Sequence, residues 1–239
     1  MKGFSVIFEN EDFLAINKEP GMLTIPDRHD DTQLSLYKSL NQQNGKIFIV
    51  HRLDRDTSGL MLFAKNETAH KYFSQLFEQR NIQKKYLGIV RGSMPSKTGS
   101  INEPIAEHPV KKGMMTISKK GKASLTNYEV LEDYGIYSLV QFEIQSGRTH
   151  QIRVHTKSIG HPIICDEIYG DGKPVLLSSF KKKYKLSQHD LEERPIINRL
   201  ALHSASLHFK DIHQKEFFIE APLPKDMKAL LQQLKKNRG

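Results

Sequence analysis

The sequence contains only one cysteine, Cys165, among 239 residues. A single cysteine can form neither a disulfide within the chain nor a cysteine metal cluster. Such sparse cysteine usage is typical of proteins in a reducing compartment, so the sequence predicts a cytoplasmic protein. Cys165 itself is expected to be a small buried residue rather than a nucleophile.

Long apolar segments are also missing from the chain. No window approaches the roughly 20 apolar residues that a membrane span requires. Acidic residues follow the first apolar run too soon for a signal peptide, at Glu9, Glu11 and Asp12. The sequence has no internal repeat, no Gly-rich phosphate loop and no dinucleotide fingerprint, which argues against an enzyme that uses a nucleotide cofactor. We therefore expect no membrane partner.

What the chain does have is an excess of positive charge. Its net charge is +9 and its pI is about 9.4, while its 38% hydrophobic and 26% charged content is that of a soluble globular protein. A basic excess of this size favours a polyanionic partner, most often nucleic acid. Four lysine-rich segments are candidate phosphate contacts, although charge runs are often only solvated surface: Lys111-Lys112, Lys119-Lys120-Gly121-Lys122, Lys181-Lys182-Lys183 and Lys235-Lys236.

Apolar periodicity predicts a chain of mixed strands and helices. Predicted strands cover residues 4–8, 13–17, 47–50, 60–63, 85–90, 127–131, 137–144 and 217–219. Predicted helices are one capped by Asp31 or Thr32 and ending near Gly45, one capped by Asn66 and reaching Phe77, one capped by Thr149 and stopping at Gly160, and one over residues 227–234. Residues 93–122 and 171–198 are predicted loops. Because there is no regular βαβα alternation, we expect an α+β domain with a mixed, largely antiparallel central sheet flanked by helices and loops.

A charge-dense turn at residues 51–60 lies between two of these apolar runs. Asp54 sits in it, with Arg52 and Arg55 within two positions. A carboxylate flanked by cations stays ionised at neutral pH, so Asp54 is able to act as a nucleophile or a base. The alternative is an ordinary surface turn whose charges are only solvated.

A second polar motif covers residues 147–155, where Gly147, Arg148 and Thr149 enter a predicted helix. An arginine and free N–H groups at a helix N-terminus suit anions such as phosphate. Arg153 lies about one turn further on and is able to point back toward a carboxylate. The histidines of this motif are five residues apart, which does not fit helical zinc ligands, so no metal site is predicted. Simple helix capping is the alternative.

Residues 51–60 resemble the catalytic motif of the RluA-type pseudouridine synthases, His-Arg-Leu-Asp-x-x-Thr-Ser-Gly-Leu. Further segments are similar to that family, and the matches run from about residue 13 to 226. They are residues 17–22 with Glu19 in place of the first proline, 85–92 with the spacing shortened at its start, 160–170 with Cys165 replacing a glycine, 202–205 and 221–224. The resemblance implies the pseudouridine synthase fold as one catalytic domain over residues 1–239, without the S4-like N-terminal module frequent in the family.

The resemblance also implies an activity, the isomerisation of uridine to pseudouridine in RNA, without a metal or an organic cofactor. Asp54 matches the catalytic aspartate, which acts either as a nucleophile on the sugar or as a base at C2′. Arg153 matches the basic residue that pairs with this aspartate. Tyr86 matches the tyrosine that stacks on the target uracil and helps to remove the C5 proton.

Four further residues are expected to contact RNA. Arg52 matches the arginine that fills the space left by the extruded base, and Ile163 is a candidate apolar wall beneath that base. Arg148 and His150 are candidate RNA-binding residues of the second motif. Thr57, Ser58 and Gly59 are expected only to shape the turn.

The expected partner is rRNA or tRNA, and the expected oligomeric state is a monomer. Two other functions remain open at this point. The chain is either a non-catalytic RNA- or ribosome-binding protein, which the basic charge supports equally well, or a hydrolase that removes the base and leaves an abasic site. Product analysis separates the three.

Overall fold

The structure of the protein, a computed structural model, describes residues 3–26, 35–186 and 192–237. The chain divides into two units, and each unit is assembled from separate stretches of sequence. Unit 1 comprises Met1–Tyr86, Glu143–Thr149 and Leu202–Pro222. Unit 2 comprises Leu87–Phe142, His150–Ala201 and Leu223–Gly239.

Strands and helices follow one another without a regular alternation. In chain order they are β1 (Phe4–Glu9), β2 (Phe13–Lys18), α1 (Leu36–Asn44), β3 (Phe48–Ile49), β4 (Ser58–Ala64), α2 (Glu67–Glu78), β5 (Gln83–Arg91), β6 (Thr98–Asn102), β7 (Ile105–Glu107), β8 (Met115–Ile117), β9 (Leu125–Asp133), β10 (Tyr137–Ile144), α3 (Gln151–Ser158), a 3₁₀ turn (Leu177–Ser179), β11 (Leu202–Lys210), β12 (Glu216–Glu220) and α4 (Lys225–Lys236). Both β5 and β10 contribute residues to the two units. None of the helices in the described ranges is long and apolar enough to cross a membrane.

The sheet of unit 1 is mixed. Its strand order is β1-β2-β4-β11, with β3 paired to β4 and β12 paired to β11. The β4–β11 pair is parallel, with Ser58 opposite His203 and Gly59 opposite Ser204. The β1–β2, β2–β4, β3–β4 and β11–β12 pairs are antiparallel. The predicted α+β class with a mixed, largely antiparallel sheet is therefore confirmed.

An aromatic core holds α2 against this sheet. Phe13 on β2 contacts Phe73 on α2 and Phe209 on β11 edge to face, each with ring centroids 5.5 Å apart. Such pairs add roughly 0.5–1.5 kcal/mol each to the gain from area burial. All seven residues of β4 are buried, as the uninterrupted apolar run of that strand predicts. The core therefore fixes the strand that directly follows Asp54.

Unit 2 contains the neighbouring strands β10, β9 and β6 and a separate hairpin. The strand order is β10-β9-β6. Strands β6 and β9 pair antiparallel, with register from Thr98↔Glu129 to Asn102↔Leu125. The β7–β8 hairpin pairs Ile105 with Ile117. Its buried side packs on Val154 of α3 and on Tyr169.

Most predicted elements are present, but several boundaries and one whole region were wrong. Asn66 caps α2 as predicted, since its side chain accepts the Ala69 N–H at 2.8 Å. The cap of α1 is Ser35, whose Oγ accepts the Lys38 N–H at 3.3 Å. Asp31 and Thr32, the predicted caps of this helix, lie outside the described residues. The cap of α3 is His150 in a left-handed conformation rather than Thr149.

Residues 93–122 are not a continuous loop. They contain β6, β7 and β8, three strands of three to five residues. Five of the six prolines and glycines that favoured a loop lie outside these strands, where turn residues belong. The predicted loop at 171–198 contains a short 3₁₀ turn and is otherwise irregular where it is described. The long strand β11 was missed.

Gly59 lies where β4 and β11 approach each other most closely. Its φ is +112°, and a Cβ there would lie 2.6 Å from Ser204 N and closer still to the Ser204 carbonyl oxygen. We expect Gly59→Ala to lower the free energy of unfolding by about 3 kcal/mol or more, because backbone strain and a clash act together. Urea denaturation measures this loss. The control is Gly135→Ala, with φ +78° and no atom within 4 Å of the added Cβ, for which strain alone costs about 1–2 kcal/mol. Equal losses of unfolding free energy in the two variants would contradict the close approach of Gly59 to the Ser204 backbone.

Candidate active site

A buried lysine holds the turn that carries Asp54. Lys18, at the end of β2, is fully buried. Its Nζ donates to the carbonyl oxygens of Arg55 at 2.8 Å, Glu19 at 3.0 Å and Met22 at 3.0 Å. Three carbonyls match the three donors of an ammonium group and compensate its loss of water. The lysine therefore ties the turn directly to residues 19–22.

Further hydrogen bonds fix the same turn from both sides. Thr24 Oγ1 donates to the Leu53 carbonyl at 3.0 Å, and the Gly21 N–H donates to the Arg55 carbonyl at 2.9 Å. On the other side, Ser58 Oγ lies 3.0 Å from His203 Nδ1 on β11. Within the turn, the Thr57 N–H donates to the Asp54 carbonyl at 3.2 Å. Asp54 itself is half-buried. These hydrogen bonds hold the backbone of its turn in place.

His51, the first residue of the motif, has a structural role. Its Nε2 accepts the Leu62 N–H at 2.9 Å, and its ring stacks on Phe77 with centroids 4.3 Å apart. Burial, with a smaller contribution from Lys84, lowers the pKa of His51 to about 3. His51 is therefore neutral at physiological pH and positions β4.

Tyr86 and Asp54 interact within unit 1. Burial raises the pKa of the Tyr86 hydroxyl, and the Asp54 carboxylate raises it further because a second negative charge nearby is unfavourable. Ser204 opposes this shift in the pKa, although its hydroxyl makes no hydrogen bond of good geometry. The structure thus brings two of the predicted catalytic residues together and keeps Tyr86 a neutral phenol.

Arg153 lies on α3 in unit 2 and is paired with a carboxylate that the sequence did not indicate. Its Nε donates to Asp166 Oδ2 at 2.7 Å and its Nη2 to Asp166 Oδ1 at 2.8 Å, with both residues buried. Burial alone would raise the pKa of Asp166. The Arg153 guanidinium and the N–H groups of Tyr169 and Ile168 outweigh it, so this pKa lies below its ordinary value. The expected pairing of Arg153 with Asp54 stays a prediction.

The four candidate RNA contacts have different exposures. Arg52 is exposed, and Arg148 and His150 are partly buried. His150 Nδ1 lies 2.9 Å from the Tyr169 hydroxyl. Ile163 is 1% exposed and forms a bridge to Val90. Their roles toward RNA stay predictions.

Sequence reasoning missed three side chains that shape these surroundings. Lys18 and Asp166 lie inside segments that carry the family resemblance, so the resemblance was the available signal. Lys84 directly precedes another such segment. It is 5% exposed, donates to the Gln145 carbonyl at 3.3 Å, and has its pKa lowered to about 8 by burial and by Arg80.

Cys165 and the histidines do not form a metal cluster where the chain is described. No group of three or more His, Cys, Asp or Glu side chains in those ranges is arranged to hold a metal ion. Cys165 is buried, and burial raises the pKa of its thiol to about 11. A thiol with such a pKa is a poor nucleophile. The predicted burial of Cys165 is confirmed.

Comparison with solved structures defines the class of protein. Human RNA Pseudouridylate Synthase Domain Containing 4 matches with a TM-score of 0.74 and 24% identity over 97% of this chain and 93% of that one. Human RNA Pseudouridylate Synthase Domain Containing 1 matches with a TM-score of 0.70 and 26% identity over 97% of this chain and 94% of that one. The fold is that of the pseudouridylate synthases.

Comparison with known sequences gives the family. The RNA pseudouridylate synthase family model matches residues 12–158. Ribosomal large subunit pseudouridine synthase D of Buchnera aphidicola is 37% identical over 97% of this chain and 73% of that protein. Ribosomal large subunit pseudouridine synthase C of Escherichia coli is 34% identical over 98% of this chain and 70% of that protein. The chain belongs to the RNA pseudouridylate synthase family, and it is an RNA isomerase.

Proposed function

We propose that this protein forms pseudouridine in RNA at a site built on Asp54. One observation carries the proposal. The buried Lys18 holds the turn that carries Asp54 through the Arg55 carbonyl, and the Asp54 carboxylate there raises the pKa of the buried Tyr86 hydroxyl. Catalysis by a carboxylate needs such a fixed position, since small displacements of a reacting group are costly in rate. A merely solvated surface turn needs no buried lysine.

The reaction rearranges atoms without gaining or losing any. The N1–C1′ bond breaks, the uracil rotates, the C5–C1′ bond forms, the C5 proton leaves and N1 gains a proton. Asp54 either attacks C1′ and displaces the uracil, or removes the C2′ proton. Both routes use an ionised carboxylate beside the sugar.

Tyr86 contributes as a neutral phenol. Its raised pKa keeps the proton on the hydroxyl at neutral pH, so its ring supplies a stacking surface and its hydroxyl a hydrogen-bond donor. If Tyr86 takes the C5 proton, its own hydroxyl proton passes to solvent water in the same step, and N1 gains a proton from water in exchange. Arg153 completes the proposed catalytic set, with the role of pairing with Asp54. Two hydrogen bonds to Asp166 already orient the Arg153 guanidinium.

RNA binding is proposed to use two arginines, one histidine and one apolar side chain. Extruding a base from a helix costs a few kcal/mol, so a side chain that fills the gap is valuable. The exposed Arg52 suits this role. Arg148 and His150 are proposed to bind the RNA near the start of α3, and Ile163 to lie beneath the target base.

The RNA substrate is proposed to be rRNA or tRNA. Two relatives named for the large ribosomal subunit support testing rRNA first. We further propose that both units act as one catalytic domain, that the enzyme is a monomer, and that it works in the cytoplasm, where the buried Cys165 stays reduced.

Tritium release from RNA carrying [5-³H]uridine tests the proposal. Protein-free large-subunit rRNA and total tRNA are assayed separately, with the wild-type protein and with Asp54→Ala. Release by the wild type alone supports C5 substitution at a site that depends on Asp54, and it identifies the RNA class. Salt-dependent binding without release from either RNA favours a non-catalytic binding protein. Free uracil as the product favours a hydrolase.

A further inference from the structure

Tyr169 lies buried in unit 2, between the β7–β8 hairpin and the start of α3. Its hydroxyl accepts the Met115 N–H at 2.8 Å, and His150 Nδ1 lies 2.9 Å from the same oxygen. Met115 is the first residue of β8, and His150 is the N-cap of α3. One hydroxyl therefore connects the hairpin to the helix that carries Arg153.

The ring and the backbone of Tyr169 hold Arg153 as well. The guanidinium carbon of Arg153 lies 5.1 Å from the centre of the Tyr169 ring, within cation–π range. Asp166, which binds the guanidinium at two points, also accepts the Tyr169 N–H at 3.0 Å. The position of the Arg153 head group therefore depends on two groups of this one tyrosine.

The hairpin that Tyr169 anchors, together with the five residues that follow β8 and return to it at the Ile105–Lys122 bridge, carries much of the charge of the protein. Residues 105–122 contain five lysines and one glutamate, so nearly half of the net charge of +9 lies in this segment. All five lysines are exposed. The tip is ordered by His108, whose Nδ1 accepts the Lys111 N–H at 3.0 Å and the Val110 N–H at 3.2 Å. The segment is thus an ordered cationic surface suited to RNA phosphates.

We propose that Tyr169 is a positioning residue that fixes two parts of the enzyme at once. Its hydroxyl sets the cationic hairpin against α3, and its ring orients the Arg153 guanidinium. This inference rests on the proposed function, because it assigns the hairpin to RNA binding and Arg153 to catalysis. It adds that two parts of one side chain have different roles: the hydroxyl supports substrate binding, and the ring supports turnover.

Two substitutions separate the hydroxyl from the ring. Tyr169→Phe keeps the ring and removes both hydrogen bonds, so we expect KM for RNA to rise about fivefold or more with kcat within twofold. Tyr169→Leu also removes the ring, so we expect an additional fall in kcat of about tenfold or more. The measurements are kcat and KM with the active RNA of the tritium assay.

The matched control is Tyr128→Phe, which removes another hydroxyl from a buried tyrosine of unit 2. Tyr128 is 8% exposed, and its hydroxyl lies 3.0 Å from Ser96 Oγ. We expect wild-type kcat and KM for it. If Tyr169→Phe behaves like this control, or if its KM is unchanged while kcat falls, the assignment of separate roles to the hydroxyl and the ring is wrong.

Limited trypsin digestion tests the hairpin anchor without any activity. Cleavage after Lys111 and Lys112 should be several-fold faster in Tyr169→Phe than in the wild type or Tyr128→Phe, because the hairpin is released locally. Unchanged cleavage overturns the anchor even if the enzyme is active. A wild type without isomerase activity refutes the proposed function instead, and faster cleavage in Tyr169→Phe would then still support the anchor.

Discussion

Asp54→Asn is expected to lower kcat for pseudouridine formation by about a thousandfold or more, while RNA affinity stays within a few fold. The amide has nearly the shape of the carboxylate but can neither attack C1′ nor take a proton from C2′. The turn should survive, because the groups that Lys18 and Thr24 bind there are backbone carbonyls. Tritium release under single-turnover conditions measures the effect, and filter binding measures affinity.

The matched control for this prediction is Asp56→Asn on the same turn. The Asp56 side chain is 51% exposed and forms a loose 3.8 Å ion pair with Arg55. Exposed pairs of this kind contribute less than about 1 kcal/mol, so activity within about twofold of the wild type is expected. Comparable loss in both variants would mean that the charge of the turn, and not Asp54 itself, supports the reaction.

Asp166→Asn is expected to destabilise the protein by about 3–5 kcal/mol, since removing one partner leaves the Arg153 charge buried and uncompensated. Both side chains are nearly inaccessible, and Asp166 Oδ1 also accepts the N–H groups of Ile168 and Tyr169. Urea denaturation measures the loss. The variant should also lose activity while it is still folded, because the Arg153 head group is no longer oriented.

Asp171→Asn is the control for that buried pair. Asp171 pairs with Arg91, whose side chain is 56% exposed, so the loss should stay below about 1 kcal/mol. A loss equal to that of Asp166→Asn would show that burial does not decide the effect.

The same pair predicts how stability depends on pH. The folded pKa of Asp166 lies below its ordinary value of 3.8. Its contribution is therefore fully present at neutral pH and is lost as the pH falls below about 4 through the folded value. The wild type should lose more unfolding free energy than Asp166→Asn between pH 5 and 2, and parallel curves would contradict the assignment.

The elements predicted well are those whose signal is local. The run of apolar residues in β4 and the spacing from Ala69 to Phe77 in α2 are decided by burial on one strand or one helix face. The strand β11 was missed because Ser and His residues interrupt its apolar pattern. It becomes a strand through its parallel pairing with β4, which is far away in sequence. The short strands of the hairpin region were hidden by the turn residues around them.

The site could be predicted only in part for a related reason. The motif at residues 51–60 identified Asp54, and the resemblance identified Tyr86, whose interaction with Asp54 the structure contains. Local patterning could not predict the buried lysine beneath the turn, although Lys18 lies in a segment that carries the resemblance, since a charged side chain is rarely fully buried unless its donors are satisfied. The same holds for Asp166, because ion-pair partners thirteen residues apart depend on the path of the intervening loop.

The Ser58–His203 contact has a consequence for the enzyme during its synthesis. These residues are 145 positions apart, so at the usual speed of translation the second follows the first by on the order of 10 s. Until then the turn bearing Asp54 lacks its support from β11, and parallel pairing over such a distance is slow to form. Under the proposed mechanism, the Asp54 turn therefore gains this support only after β11 has been synthesised and has paired with β4.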